Sequence, residues 1–140
     1  MSLVFSHVAL NCRDPLVTER FYARHFGFRR ARVIPLGAEQ IVFLKAGSMY
    51  LELFQAKGDP PAPAPEKDGP GHRGVRHIAF QVDNVDTTLA AMGADATVTL
   101  GPLDFDAFIP GWRTAWVADP DGNIVEISQG YIDQDDPPQL

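Results

Sequence analysis

The chain has 140 residues, 12 Lys+Arg against 18 Asp+Glu, a formal net charge of −6, 45% hydrophobic residues and a single cysteine. Its length suits one compact domain or two small modules sharing a core, and the acidic balance gives no electrostatic footprint for nucleic acid or an anionic membrane. Cys12 alone excludes an internal disulfide and a cysteine-based zinc site, and no apolar run reaches the roughly 18 residues of a membrane span. The N-terminus lacks the pattern of a signal peptide, so the expected compartment is the cytoplasm.

Phe5–Asn11 alternates as a strand, with Val8 and Leu10 on one face and His7, Ala9 and Asn11 on the other. Asp14-Pro15 marks a helix start and Gly27 its stop, with Val17 and Phe21 on one face and Tyr22 and Phe26 adjoining. Strands follow at Ala31–Leu36, Gln40–Lys45 and Met49–Gln55. Residues 58–74 hold Pro60, Pro61, Pro63, Pro65 and Pro70, which forbid a regular helix and predict an extended linker. Beyond it the order repeats. Gly74–Val82 reads as a strand, Asn84 as a cap, and Val85, Leu89 and Met92 as a helical face stopped by Gly93. Ala96–Leu100, Thr114–Ala118 and Asn123–Gln129 complete the strands, and Asp119-Pro120-Asp121-Gly122 supplies the turn between the last two.

The repeat is also visible residue by residue. His7-Val8-Ala9-Leu10-Asn11 matches His77-Ile78-Ala79-Phe80-Gln81 at an offset of 70, and Leu51-Glu52-Leu53 matches Val125-Glu126-Ile127 at 74. The expected fold is therefore α+β: two βαβββ modules, at 1–57 and 75–131, forming a curved, open, cup-like mixed sheet with helices on its outer face. Residues 132–140 read as an acidic tail.

If the aliphatic residues face the helices, His7, Glu52, His77 and Glu126 all face the other way. An ionised Glu between apolar strand neighbours is costly unless it is paired or metal-bound. Two His and two Glu make an N2O2 set suited to Zn, Ni, Co, Mn or Fe, and Ala9 and Ala79 leave room beside it. His25 and His72 lack this context and read as a helix-face and a linker histidine.

Phe5-Ser6-His7-Val8-Ala9-Leu10, Tyr50-Leu51-Glu52-Leu53-Phe54, Val75-Arg76-His77-Ile78-Ala79-Phe80 and Asp119-Pro120-Asp121-Gly122-Asn123-Ile124-Val125-Glu126 resemble the vicinal oxygen chelate superfamily, also called glyoxalase/bleomycin resistance/dioxygenase. The resemblance implies paired βαβββ modules around one divalent metal held by His7, Glu52, His77 and Glu126. The four-residue His-Glu-His-Glu set is that of glyoxalase I-like enzymes. Extradiol dioxygenases and fosfomycin-modifying relatives use only the positions of His7, His77 and Glu126, and bleomycin-binding relatives generally lack the set. The implied activity is a metal-dependent isomerase or lyase that transfers a proton next to a carbonyl of a small oxygenated substrate. Glu126 or Glu52 would be the base, with Glu126 favoured for its better-matched motif. The alternatives are an Fe- or Mn-dependent dioxygenase and a non-catalytic binder of aromatic compounds. Bacterial glyoxalase I enzymes carry Arg at the position of Asn11, where it helps hold glutathione; Asn11 cannot form that ion pair. Asn11, Gln81, Phe108, Trp112 and Arg113 are the candidate substrate contacts, and the apolar 103–112 segment is a candidate lid. The family's habit implies a homodimer, in some members with sites completed by exchanged modules.

Overall fold

A computed structural model describes residues 2–139. The elements are β1 (His7–Cys12), α1 (Pro15–Phe26), β2 (Arg29–Leu36), β3 (Glu39–Ala46), β4 (Met49–Gln55), β5 (Ile78–Gln81), α2 (Val85–Met92), a 3-10 turn (Gly93–Asp95), β6 (Thr97–Asp104), β7 (Arg113–Ala118) and β8 (Ile124–Gln129). This is βαβββ twice. The strands form two four-stranded mixed sheets, in the orders β1-β4-β3-β2 and β5-β8-β7-β6. In each, the first strand runs parallel to the fourth and the other pairings are antiparallel. The first unit takes in residues up to Ala64 together with Asp119–Asp121; the second takes in Pro65–Ala118 and residues from Gly122 onward.

Local chemistry fixes the helices where the sequence places them. The Asp14 side chain accepts a hydrogen bond from the Leu16 amide at 3.0 Å, Pro15 occupies the first turn, and Gly27 closes α1 in the left-handed region (φ 72°). Asn84 caps α2 by accepting from the Thr87 amide at 2.8 Å. In the first sheet Leu44, Leu51, Leu53 and Val42 are fully buried and face α1, each contributing about 1.5–3 kcal/mol by leaving water.

Three expectations change. On α1 the buried residues are Pro15, Thr18, Phe21 and Tyr22, while Val17 is 38% exposed. Thr18 takes the inner position because its hydroxyl donates to the Asp121 carboxylate at 2.6 Å. The strand expected over Gly74–Val82 is confined to Ile78–Gln81, so His77 stands one residue before it and Val75 is exposed. The segment from 103 begins as strand, since β6 continues to Asp104. After it Phe105 and Trp112 are bridged by a backbone bond of 2.7 Å, which closes a tight connection to β7.

Within the first unit, α1 and the residue before its cap are tied to the Asp119–Asp121 turn by polar bonds, of which the Tyr22 one is buried. The Tyr22 hydroxyl donates to Asp119 Oδ2 at 2.7 Å, and the Asp121 amide donates to Asp119 Oδ1 at 2.9 Å. The Arg13 amide donates to Asp121 Oδ1 at 2.8 Å. Cys12 is buried beside this cluster. Burial, partly opposed by a hydrogen bond with Thr18 and reinforced by the Asp121 and Asp119 charges, pushes its thiol from 9.0 up to about 11, so it is a packing residue rather than a nucleophile. Between pH 9 and 11 the unfolded chain loses a thiol proton that the folded chain keeps. Stability should therefore fall as pH rises through that window, by about 2–3 kcal/mol for this group. Urea midpoints from pH 8 to 11 should decline less steeply in Cys12→Ala than in the wild type.

Candidate metal centre

The strand register sets the faces. In the first sheet Ala9 lies beside Glu52, Glu52 opposite Phe43, and His7 beside Tyr50. β1 shows the expected alternation, with His7, Ala9 and Asn11 exposed and Val8, Leu10 and Cys12 more covered. His7 and Glu52 therefore share the face away from α1, and their side chains meet with Nε2–Oε2 at 3.0 Å. His7 Nδ1 is 2.8 Å from the Ser6 hydroxyl, and the ring stands edge-on to Phe43.

The second unit repeats the pair. Ala79 lies beside Glu126 and Glu126 opposite Trp116. His77 Nε2 is 3.3 Å from Glu126 Oε2. Here both partners are anchored by groups that sequence reasoning missed. His77 Nδ1 lies 2.6 Å from the Asp68 carbonyl oxygen. A carbonyl can only accept, so Nδ1 carries a proton and donates it, and Nε2 is the ring nitrogen turned to the carboxylate. Glu126 Oε1 accepts from the Thr114 hydroxyl at 2.9 Å.

Asp68 belongs to the proline-rich stretch, which is itself fastened to the second unit. Its carboxylate pairs with Arg76, which holds it below the usual carboxylate range, and Thr99 donates to the Lys67 carbonyl at 2.5 Å. At Gly69 a Cβ would stand 2.1 Å from the Arg76 carbonyl oxygen, so only glycine permits this approach. No sequence signal marked Asp68 or Thr114; both act through contacts that depend on the folded backbone.

The donor set fits a divalent cation. In each pair an imidazole Nε2 and a carboxylate oxygen, both common donors to divalent metals, lie 3.0 and 3.3 Å apart. Within the described residues no group of three or more His, Cys, Asp or Glu is gathered closely enough to hold a metal; each unit supplies two donors. If Thr114 orients Glu126 for metal binding, Thr114→Val should weaken divalent-metal affinity about 10- to 100-fold with little change in fold, measured by equilibrium dialysis against a chelator.

The other predicted contacts divide. Asn11 and Gln81 are exposed on the same faces as the His–Glu pairs. Gln81, Ala79, Glu126, Ser128, Trp112 and Tyr131 border a recess of about 190 Å³. Trp112 is fixed there by its indole N–H, which donates to Ser128 at 3.1 Å, and by ring contacts with Phe105 and Tyr131. Phe108 is 76% exposed at the tip of the β6–β7 connection. Arg113 is not brought to this face. Its guanidinium is committed to Asp86 at 3.0 Å and Asp104 at 2.9 Å, which raise its pKa further. Trp116, opposite Glu126, has a buried indole N–H with no acceptor among the described residues.

This fold and these paired donors define a protein built from two βαβββ modules, each offering one His and one Glu. The family model for the Glyoxalase/Bleomycin resistance protein/Dioxygenase superfamily matches residues 4–127, and the chain belongs to that superfamily. Among solved structures it is similar to a glyoxalase family protein from Enterococcus faecalis, with 28% identity, TM-score 0.69, and 89% of this chain and 96% of that one covered. It is also similar to a lactoylglutathione lyase from Agrobacterium tumefaciens, with 27% identity, TM-score 0.59, and coverage of 91% and 93%. The fosfomycin resistance protein FosX from Listeria monocytogenes shares the fold at 18% identity, with TM-score 0.69 and coverage of 94% and 97%. A search of curated proteins found no match. No helix among the described residues is long and apolar enough to cross a membrane.

Proposed function

We propose that this chain is a metal-dependent isomerase or lyase of the glyoxalase I-like type, in which His7, Glu52, His77 and Glu126 serve one divalent ion. The observation that carries this reading is the repeated His–Glu pair at equivalent register in both units, with Nε2–Oε2 separations of 3.0 and 3.3 Å. The second acid also supports it, because relatives of the dioxygenase type lack an acid at the position of Glu52. A bound divalent ion would supply Lewis acidity, which lowers the cost of removing a proton next to a carbonyl.

The chain's own residues account for the rest. Glu126 meets His77 and is also held by the Thr114 hydroxyl, whereas among the described residues Glu52 meets the His7 ring alone. A tethered carboxylate suits a fixed ligand and a freer one suits a base, so this contrast moves the base assignment from Glu126 to Glu52. Ala9 and Ala79 keep space open beside the two acids. The Trp116 N–H is a donor that no group among the described residues uses.

Chain loaded in turn with Zn, Ni, Co, Mn or Fe(II) should exchange the α-proton of hydroxy-carbonyl or hemithioacetal probes with D2O, read by NMR. Glu52→Gln and His77→Ala should abolish the exchange. Oxygen uptake with catechols that survives Glu52→Gln would support the dioxygenase alternative instead. Failure to bind a divalent metal under any loading condition would sink both and leave a binding protein. A homodimer is part of the proposal, to be checked by sedimentation.

A further inference from the structure

The face that carries His7 and Glu52 also carries an ordered series of other side chains. Register pairs place His7, Tyr50, Lys45 and Arg29 in one row across the first sheet, and Ala9, Glu52, Phe43 and Arg32 in the next. Residues directly opposite one another project to the same side. Moving from β1 towards β2, the face therefore passes from the His–Glu pair, through the rings of Phe43 and Tyr50, to three cations. Phe43 lies edge-on to His7 with centroids 5.8 Å apart, and the Lys45 ammonium sits 5.2 Å from the Tyr50 ring centroid.

Arg29 and Arg32 share this face only because of an irregularity. Three residues apart on a regular strand, they would point to opposite sides. The register slips between Arg30 and Arg32, so that Arg30 faces Leu44, Arg32 faces Phe43, and Ala31 has no partner. A bulge of this kind re-aims the side chains that follow it. Arg30 marks the opposite face, where its guanidinium reaches Glu19 of α1 at 2.7 Å.

Arg30 is thus neutralised, while none of Arg29, Arg32 and Lys45 forms an ion pair with a carboxylate among the described residues. In a chain of net charge −6, three unpaired cations on one face are a local reversal of sign. Arg29 and Lys45 also border a concavity of about 520 Å³ at that end of the β2–β3 pair. Charge on an edge strand discourages strand addition whichever way it points; that role does not require the bulge.

We propose that Arg29, Arg32 and Lys45 form a binding site for an anionic group, carboxylate or phosphate, of a substrate whose apolar middle lies over Phe43 and Tyr50. At about 4.8 Å per strand, β3 and β2 lie about 10 and 14 Å from β1, so the substrate class is an elongated anion with its reactive oxygens at the far end. Guanidinium groups match both anions by paired N–H donors, and an ammonium adds a point charge. The assignment of the reactive end rests on the proposed function, but the anion site itself needs no metal.

The test is an NMR titration of the metal-free full-length chain with phenyl phosphate, benzoate and, as neutral control, benzyl alcohol. Phenyl phosphate or benzoate should shift the β2 and β3 amides. Arg29→Gln/Arg32→Gln should weaken that binding at least tenfold, charge-preserving Arg32→Lys and Lys45→Arg should retain most of it, and benzyl alcohol should not distinguish the variants. The stronger of the two anions identifies the group. Equal affinity in wild type and the double variant, shifts confined to other surfaces, no binding at tens of millimolar, or a changed sedimentation coefficient with unchanged binding would each overturn the proposal. Metal content of the wild type is measured separately, so its failure removes the proposed function without deciding the titration.

Discussion

With the four donors serving one ion, as proposed, replacing His77 with alanine should abolish divalent-metal binding rather than halve it. If the four donors serve one ion, the wild type binds about one equivalent per chain, and His7→Ala, Glu52→Gln, His77→Ala and Glu126→Gln each weaken it by more than the 10- to 100-fold typical of lost supporting hydrogen bonds. If each His–Glu pair held its own ion, His77→Ala would leave one of two equivalents in place. Metal analysis after dialysis, with stoichiometry and affinity for all four variants, separates these outcomes. His77 gives the sharpest contrast because the Asp68 carbonyl accepts from its Nδ1 and so holds the ring with Nε2 towards Glu126. His7 is more exposed and touches only the Ser6 hydroxyl at Nδ1, so its ring orientation is less constrained before metal arrives.

The largest stability effect is expected at Asp119. Its carboxylate is 5% exposed and accepts from the Tyr22 hydroxyl and the Asp121 amide, and Tyr22 is fully buried. Asp119→Ala would leave a buried phenol and a backbone N–H without their acceptor, at about 2–5 kcal/mol together. Tyr22→Phe removes one donor from a carboxylate that keeps its backbone bond, so about 1–3 kcal/mol is expected. Urea unfolding of both single variants and the double variant completes a cycle. Non-additivity of at least about 0.5 kcal/mol is the sign of direct coupling; additive losses would mean that Asp119 acts through its backbone contacts alone.

The elements that were legible in the sequence are those whose causes are local. Asp14, Pro15 and Gly27 define α1 because capping and the left-handed stop involve neighbours in the chain, and the His–Glu pairs were legible because the module repeats and strand alternation assigns faces. What was missed depends on contacts made between distant residues. Thr18 outranked Val17 as a core residue because its partner is Asp121, 103 residues away. The second repeat's first strand begins only at Ile78, just after His77, whose ring is held by the Asp68 carbonyl. Arg113 looked available as a lone cation beside an aromatic segment, but two carboxylates already hold it. The slip at Ala31 left no mark either, since Arg-Arg-Ala-Arg reads as ordinary strand whichever residue is skipped.

The Asp119–Asp121 turn has a consequence for biosynthesis. The first unit is discontinuous: its helix draws two carboxylate acceptors, the buried Asp119 and the half-buried Asp121, from a turn that follows almost the whole second repeat. As the chain leaves the ribosome, α1 and the first four strands emerge early, but Tyr22 and Thr18 wait for those acceptors until residue 121 has been made. The amino-terminal repeat is thus committed to its final state late, and a chain cut in the proline-rich stretch would strand it with its polar contacts unmade.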